Sequence, residues 1–282
     1  MTQPLVELPT GIGFFLRNMA LSTISSRVAH MVDHGVGFAA VGTIWQDVSK
    51  NKQPISRWIN TPVHAKLILK AMALRGLKVL LWGYPMKGRE REFVLDMGSC
   101  ADATVIGTIP DPELRSKATD DNKNKHIDPK ELQSAIDHAR ALMWELKKQN
   151  PCWLRLITSF GIPMGHPTMP WASFFTPQVV GDPAEAHAGV PQLYDKGLED
   201  MIRGLEAYHV MGADQLLPAG GTYRFAPDGS TPRMTADELD VHLGRLWDLH
   251  ERFGYHGVIL WSEAQVSKGA WKIIEKYAGM SW

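Results

Sequence analysis

The feature that most limits how this chain can fold is a repeated alternation. Short apolar runs rich in β-branched residues are followed, again and again, by segments whose apolar residues recur at helical spacing. Eight runs read as strands: Gly11–Met19, Gly37–Ile44, Lys78–Trp82, Ala103–Ile109, Trp153–Ser159, Val190–Tyr194, Ala213–Pro218 and Gly257–Trp261. Between them lie helical patterns: Ile24, Val28, Met31 and Val32; Val63, Leu67, Ala71 and Leu74; a short one over Glu90–Met97. Further on come Leu132, Ile136, Ala139, Met143 and Leu146; Leu198, Ile202, Leu205 and Tyr208; Leu239, Leu243, Leu246 and Phe253; and Lys268–Tyr277. Strands separated by helices pair in parallel. Eight such units predict a single-domain (β/α)8 TIM barrel over residues 1–282, with a doubly wound open sheet as the alternative. No GxGxxG follows a strand, which weakens a dinucleotide-binding sheet.

Punctuation supports the alternation. Gly35 and Gly76 stand just past helix ends. Asp128-Pro129-Lys130-Glu131 and Thr235 to Glu238 are capping signatures that open helices. The rhythm fails twice. Leu114–Lys125 is polar and charged and reads as surface loop. Phe160–Gly189 holds five prolines and no helical period, so a long irregular loop is expected after strand five, in place of a helix.

A barrel of this kind keeps its active site at the carboxyl ends of the strands. Those ends carry Arg17 and Asn18, Trp45 and Asp47, Trp82 and Tyr84, and Asp111 and Glu113. Arg155 and Ser159, then Gln192, Tyr194 and Asp195, Tyr223 and Arg224, and Trp261 and Glu263 complete the ring. Aromatics, amides and carboxylates suit a carbohydrate, whose rings stack on aromatic faces and whose hydroxyls need fixed donors and acceptors. Each aromatic taken singly is more often core.

Asp111 and Glu113 are the chemical centre of this reading. Alternate residues of an extended segment point to the same side, so both carboxylates leave the strand in one direction. Two carboxyl groups at a strand end equip a glycosidase: one protonates the leaving oxygen and the other assists. The bland alternative is a solvated turn capped by Asp111 or Glu113.

Composition removes other classes. Thirty basic and 30 acidic residues balance, so bulk charge favours neither nucleic acid nor an anionic membrane. No run approaches a membrane span and no membrane insertion is expected. Two cysteines make no disulfide framework and no CxxC metal site. Neither HExxH nor GxSxG nor a P-loop is present, and neither metal nor cofactor is expected. His30 and His34, four apart, have the spacing of a metal pair, and Asp248 and Arg252 that of an ion pair; both read first as surface features. Lys78 and Lys87 are not placed for a Schiff base. The N-terminus lacks the basic and apolar regions of a signal peptide, which predicts cytoplasmic synthesis.

The quoted elements IPDPE (Ile109–Glu113), PQLYD (Pro191–Asp195), LLPAGGTY (Leu216–Tyr223) and GVILWSEA (Gly257–Ala264) together resemble the family-25 lysozymes and related phage or bacterial barrel glycosidases. The resemblance spans most of the chain by order of elements, and its motifs are short. It implies hydrolysis of an amino-sugar polymer, peptidoglycan first, with Glu113 as general acid and Asp111 orienting an N-acetyl group or stabilising the charged transition state. Tyr194 and Asp195 would support the reacting sugar. It implies too that a cytoplasmic product reaches the wall through a separate pore or on a virion. The chain departs from that pattern in carrying Asn18 where those lysozymes have an aspartate, and in Pro110 and Pro112 around the acidic pair. A non-catalytic carbohydrate-binding barrel and another barrel enzyme (an isomerase, aldolase or metal-dependent hydrolase) are the competing readings.

Overall fold

The computed structural model describes residues 7–17, 19–48, 54–112, 129–160, 172–175, 185–226, 228 and 230–282. Its strands are β1 (Gly11–Leu16), β2 (Phe38–Val48), β3 (Pro54–Trp58), β4 (Lys78–Tyr84), β5 (Val105–Pro110), β6 (Leu154–Phe160), β7 (Ala188–Gln192), β8 (Ala219–Gly221) and β9 (Gly257–Trp261). Eight of them, all but β3, form a parallel barrel that closes because β1 pairs with both β2 and β9. Around it lie α1 (Ile24–Asp33), α2 (Pro62–Ala73), α3 (Glu90–Cys100), α4 (Pro129–Gln149), the single turn α5 (Ala172–Phe175), α6 (Leu198–Val210), α7 (Ala236–Phe253) and α8 (Trp271–Ala278). The chain therefore folds as the (β/α)8 barrel its alternation predicts. No helix among the described residues is long and apolar enough to cross a membrane.

Strand alternation sorts side chains into two layers. Phe15, Phe38, Leu80, Trp82, Ile109, Leu156, Val190 and Ile259 fill the barrel lumen. Phe14, Val41, Leu81, Ile157 and Leu260 point the other way and pack with Val28, Met31, Leu69, Met72, Leu142 and Leu246 from the helices. One glycine is dictated by this packing: a Cβ on Gly13 would lie 2.2 Å from the Phe38 ring. The capping box predicted at Thr235 is formed, with Thr235 Oγ1 accepting from Glu238 N–H at 3.2 Å, and α7 ends on Gly254 at φ +67°.

Four readings of the sequence need correction. First, β2 does not stop at Ile44 but runs to Val48, and Pro54–Trp58 returns antiparallel to it as β3. Pro54 is tolerated as the first strand residue because it gives up no ladder donor inside the sheet. Second, the buried face of α2 is Ala65, Ile68, Leu69 and Met72, whereas Val63, Leu67 and Leu74 are exposed. Third, the seventh barrel strand is Ala219–Gly221, not Ala213–Pro218. The earlier residues lie beside β7 through Gly189 N–H to Gln215 O and an isolated bridge at Leu216, while Ala-Gly-Gly ladders onto β9, preceded by Ile259 N–H to Pro218 O at 2.9 Å. Fourth, β1 ends at Leu16, short of Met19. The Leu114–Lys125 loop and most of the irregular stretch after β6 lie outside the described residues.

Candidate functional site

The carboxyl end of the lumen holds a cluster assembled by strand parity. Ile109 points inward, so Asp111, two residues on, does also. Its backbone N–H donates to Gly83 O at 2.8 Å, carrying the β4–β5 contact one residue past the strand. Asp111 is 3% exposed. On β7 the inward series Ala188, Val190 ends in Gln192. On β6 Leu154 and Leu156 lead to Thr158. Gln192 Nε2 has two hydrogens and two acceptors at 3.3 Å, Asp111 Oδ2 and Thr158 Oγ1. The Thr158 hydroxyl in turn donates to Val190 O at 2.9 Å. A carboxylate, an amide and a hydroxyl from three neighbouring strands thus form one connected polar group above the apolar side chains of the lumen.

Aromatic rings wall this group. Trp82 and Trp261 meet edge to face with centroids 4.8 Å apart, and Phe15 lies 5.3 Å from Trp261 and 5.7 Å from Trp82. Tyr84 follows 5.1 Å from Trp82, and Trp45 6.3 Å from Tyr84. Tyr194, Tyr223 and Phe225 form a second run with separations of 5.9 and 5.2 Å. Burial, with the Asp195 carboxylate adding to it, pushes the Tyr223 phenol up to about 12, so it stays a neutral donor. The Trp261–Ser262 peptide is cis, and Thr222 Oγ1 sits 3.0 Å from both Ser262 N and Ser262 O.

The predicted ring of residues is only partly brought together. Asp111, Trp82, Tyr84, Gln192, Tyr194, Tyr223 and Trp261 gather at the mouth, with Trp45 at its edge. Asp195, at φ +45°, turns away to accept from Phe225 N–H at 2.9 Å and ties the loop after β7 to the loop after β8. Glu263 is buried and bound by Arg27 of α1, whose Nε lies 3.1 and 3.3 Å from its two oxygens. Asp47 lies on β2 beyond the mouth. Arg155 does not reach the mouth: it is the second residue of β6 and shares the outward parity of Ile157, on the helix side of the sheet. Ser159 faces the same way. Asn18 and Glu113 lie outside the described residues.

Thr158 and Phe15 are site residues that strand-end reading missed. Alternation gives the means of finding both, since each continues an inward series to its carboxyl end. Among the described residues no three His, Cys, Asp or Glu side chains converge as a metal site. His30 and His34 pack their rings on each other and on Trp271, and His34 Nδ1 donates to His30 O at 2.8 Å. Arg252 reaches Glu206 on α6 at 2.9 Å, not Asp248 on its own helix.

No protein-family model matches the sequence, and no curated protein matches it. Solved structures do. A chitinase from Chromobacterium violaceum superposes with a TM-score of 0.59 at 10% identity, covering 96% of this chain and 99% of the other. The spore cortex-lytic enzyme SleL of Bacillus megaterium gives 0.62 at 10%, covering 95% and 74%. The xylanase and alpha-amylase inhibitor protein of Scadoxus multiflorus gives 0.54 at 10%, covering 95% and 96%. At these identities the likeness shows the fold: the chain is a TIM barrel of the architecture seen in glycoside hydrolases and in barrel proteins named as inhibitors.

Proposed function

We propose that this protein is a glycoside hydrolase that cleaves an amino-sugar polymer, with peptidoglycan the first candidate. The observation that carries the reading is Asp111: a buried carboxylate at the carboxyl end of the lumen, joined to Gln192 and walled by Trp82 and Trp261. Glu113, two residues further along, is the proposed general acid. A general acid must hold its proton at the working pH until the leaving oxygen takes it. Asp111 orients the substrate amide or stabilises the positive charge that develops as the bond breaks, and Gln192 holds Asp111 in place. Tyr194 supports the reacting sugar from the β7 side. The polymer and the roles of Glu113 and Asp111 draw also on the likeness of IPDPE, PQLYD and GVILWSEA to family-25 lysozymes.

The test is reducing-sugar release from purified peptidoglycan and from chitin-type oligomers, by the unaltered protein beside Glu113→Gln and Asp111→Asn. Loss of roughly 10²–10⁴-fold in Glu113→Gln with unchanged folding is the expected result. Activity that survives both changes places the chemistry elsewhere on the rim. A second reading, a sugar-binding barrel without turnover, has support in the aromatic wall, which needs no acid to bind a ring. The inhibitor proteins on the same fold are a reminder that a barrel alone does not confer hydrolysis. Binding with no product from any polymer would select it.

A further inference from the structure

The β2–β3 hairpin is the part of the fold that the barrel itself does not need. β2 pairs with β4 as far as Trp45 opposite Tyr84, so β4 occupies one edge of β2 up to that level. On the other edge β1 pairs with Phe38–Val41 and β3 with Ile44–Val48. β3 therefore stands directly beyond the carboxyl end of β1, as a wall above the mouth. Ile59 N–H to Thr43 O at 3.0 Å and Asn60 Nδ2 to Gly42 O at 2.6 Å fasten its return to the barrel.

The two faces of this wall differ. Gln46 accepts from Met86 N–H at 3.1 Å and Ser56 lies opposite Gln46, so that face packs against the loop after β4. Trp45 lies opposite Arg57 on the other face, and Trp45 touches Tyr84 of the aromatic wall. Trp45 keeps 37% of its surface exposed although the Arg57 guanidinium sits 5.8 Å from its ring centroid. Two aromatic side chains, Tyr84 and Trp82, separate it from Trp261. Asp111 follows β5 at the level of Tyr84 on β4, and Tyr84 stands opposite Trp45 on β2, so Trp45 lies two strands from Asp111, roughly 10 Å between Cα atoms.

Charge adds a second constraint. Among the described residues Arg57 makes no ion pair, and neither does Arg17, which is exposed one residue beyond β1. Leu16 pairs with Val41 and Arg57 with Trp45, on the same edge of β2. Arg17 and Arg57 thus stand about three residues apart along β2, roughly 10 Å. Asp47, further up the wall, is already engaged.

We propose that the β2–β3 hairpin is an outer subsite for an acidic glycan chain: Trp45 stacks on a ring remote from the reacting bond, and Arg57 with Arg17 pairs with a carboxylate carried by that chain. The assignment rests on the glycan reading above and goes further, to an extended and acidic substrate. Guanidinium–carboxylate pairing at an exposed rim is directional and sensitive to salt.

The experiment is calorimetric binding of an amino-sugar oligomer bearing carboxylates (a peptide-free muramic acid glycan), its methyl ester, and a neutral chitin oligomer of equal length. The intact protein is compared with Arg57→Gln, Arg17→Gln and Trp45→Ala, with circular dichroism to confirm folding. The expected result is roughly 10-fold tighter binding of the acid than of the ester at low salt, largely abolished in Arg57→Gln and reduced in Arg17→Gln, with the ester unaffected. Trp45→Ala weakens all three oligomers roughly 10-fold. Equal affinity for acid and ester, or a preference that survives both arginine substitutions, overturns this proposal and leaves the hydrolase reading standing. Binding without turnover has the opposite meaning, and failure to bind any oligomer overturns both.

Discussion

Asp111 and Arg155 are ionisable side chains buried to nearly the same degree, 3% and 4% exposed, at β5 and β6 of one sheet. Asp111 faces the lumen and Arg155 the helix layer. Arg155 Nε donates to Glu185 O at 3.0 Å and its terminal nitrogen lies 2.8 Å from His187 Nε2, while Glu185 adds an attractive charge. Burial and the Arg155 charge push the His187 pKa down to about 4, which keeps the ring neutral and fit to accept. That is a structural solution, with a cation wrapped in main-chain carbonyl and neutral imidazole. Asp111 instead shares one amide with Thr158 and sits among rings that form the open end of the barrel. A buried charge in the shell fastens a loop; the one in the lumen is the residue the proposed function puts against the glycan.

The comparison is sharpest where it predicts opposite phenotypes. Asp111→Asn keeps the volume and one acceptor, so chemical denaturation changes by no more than about 1 kcal/mol while glycan turnover falls by two orders of magnitude or more. Arg155→Met does the reverse. It strips the Glu185 carbonyl and His187 of their donor, costs about 3 kcal/mol of stability, and leaves turnover per folded molecule unaltered. Were Arg155→Met to abolish turnover in fully folded protein, the division between lumen and shell would be wrong.

The shell also holds His242, which is 3% exposed on α7 and accepts from Gly221 N–H at 3.2 Å. Burial, aided by Arg245, lowers its pKa to about 4 from 6.5. In the unfolded chain this histidine and His187 take up protons as pH falls through 6.5, whereas the folded forms do not until about 4. Stability contributed by the neutral rings is therefore fully present above pH 6.5 and is lost as pH falls toward 4, by up to about 3 kcal/mol for each group. Urea unfolding across that window measures the slope. His242→Gln retains an acceptor for Gly221 and should remove about half of it. A mouth variant such as Trp45→Ala should leave the slope intact.

The layering was legible in the sequence to different depths. Seven of the barrel strands are visible as short apolar runs, and Trp82, Gln192 and Trp261 are legible as strand-end residues; which side of each strand faces the lumen is not, because KVLLW and GVILW are apolar on both faces. β8 is hidden because its ladder is Ala-Gly-Gly, which has no apolar pattern, while the adjacent Leu216 and Leu217 supply one. β3 carries no strand signal of its own, because its pairing depends on β2 rather than on its own five residues. Arg155 reads as a mouth residue because it alternates with apolar residues on a strand whose two faces are both buried. Alternation shows that Arg155 and Leu156 face opposite ways, and only the barrel decides which way is in.

The α2 helix shows the same limit and supplies a neutral reference for the comparison. Its segment with the residue that caps it, PVHAKLILKAMAL (Pro62–Leu74), offers two helical faces of similar apolarity, Val63 with Leu67 and Leu74 on one side, and Ala65 with Ile68, Leu69 and Met72 on the other. The barrel buries the second. Leu74 is 78% exposed, so Leu74→Gln removes almost no buried area and should shift stability by less than about 0.5 kcal/mol, without effect on glycan binding. Leu69→Ala, on the buried face, should cost about 2–5 kcal/mol. Thermal unfolding of the two variants side by side checks this directly: equal losses would mean that α2 packs on the face that periodicity first singled out, and that the shell is not ordered as described.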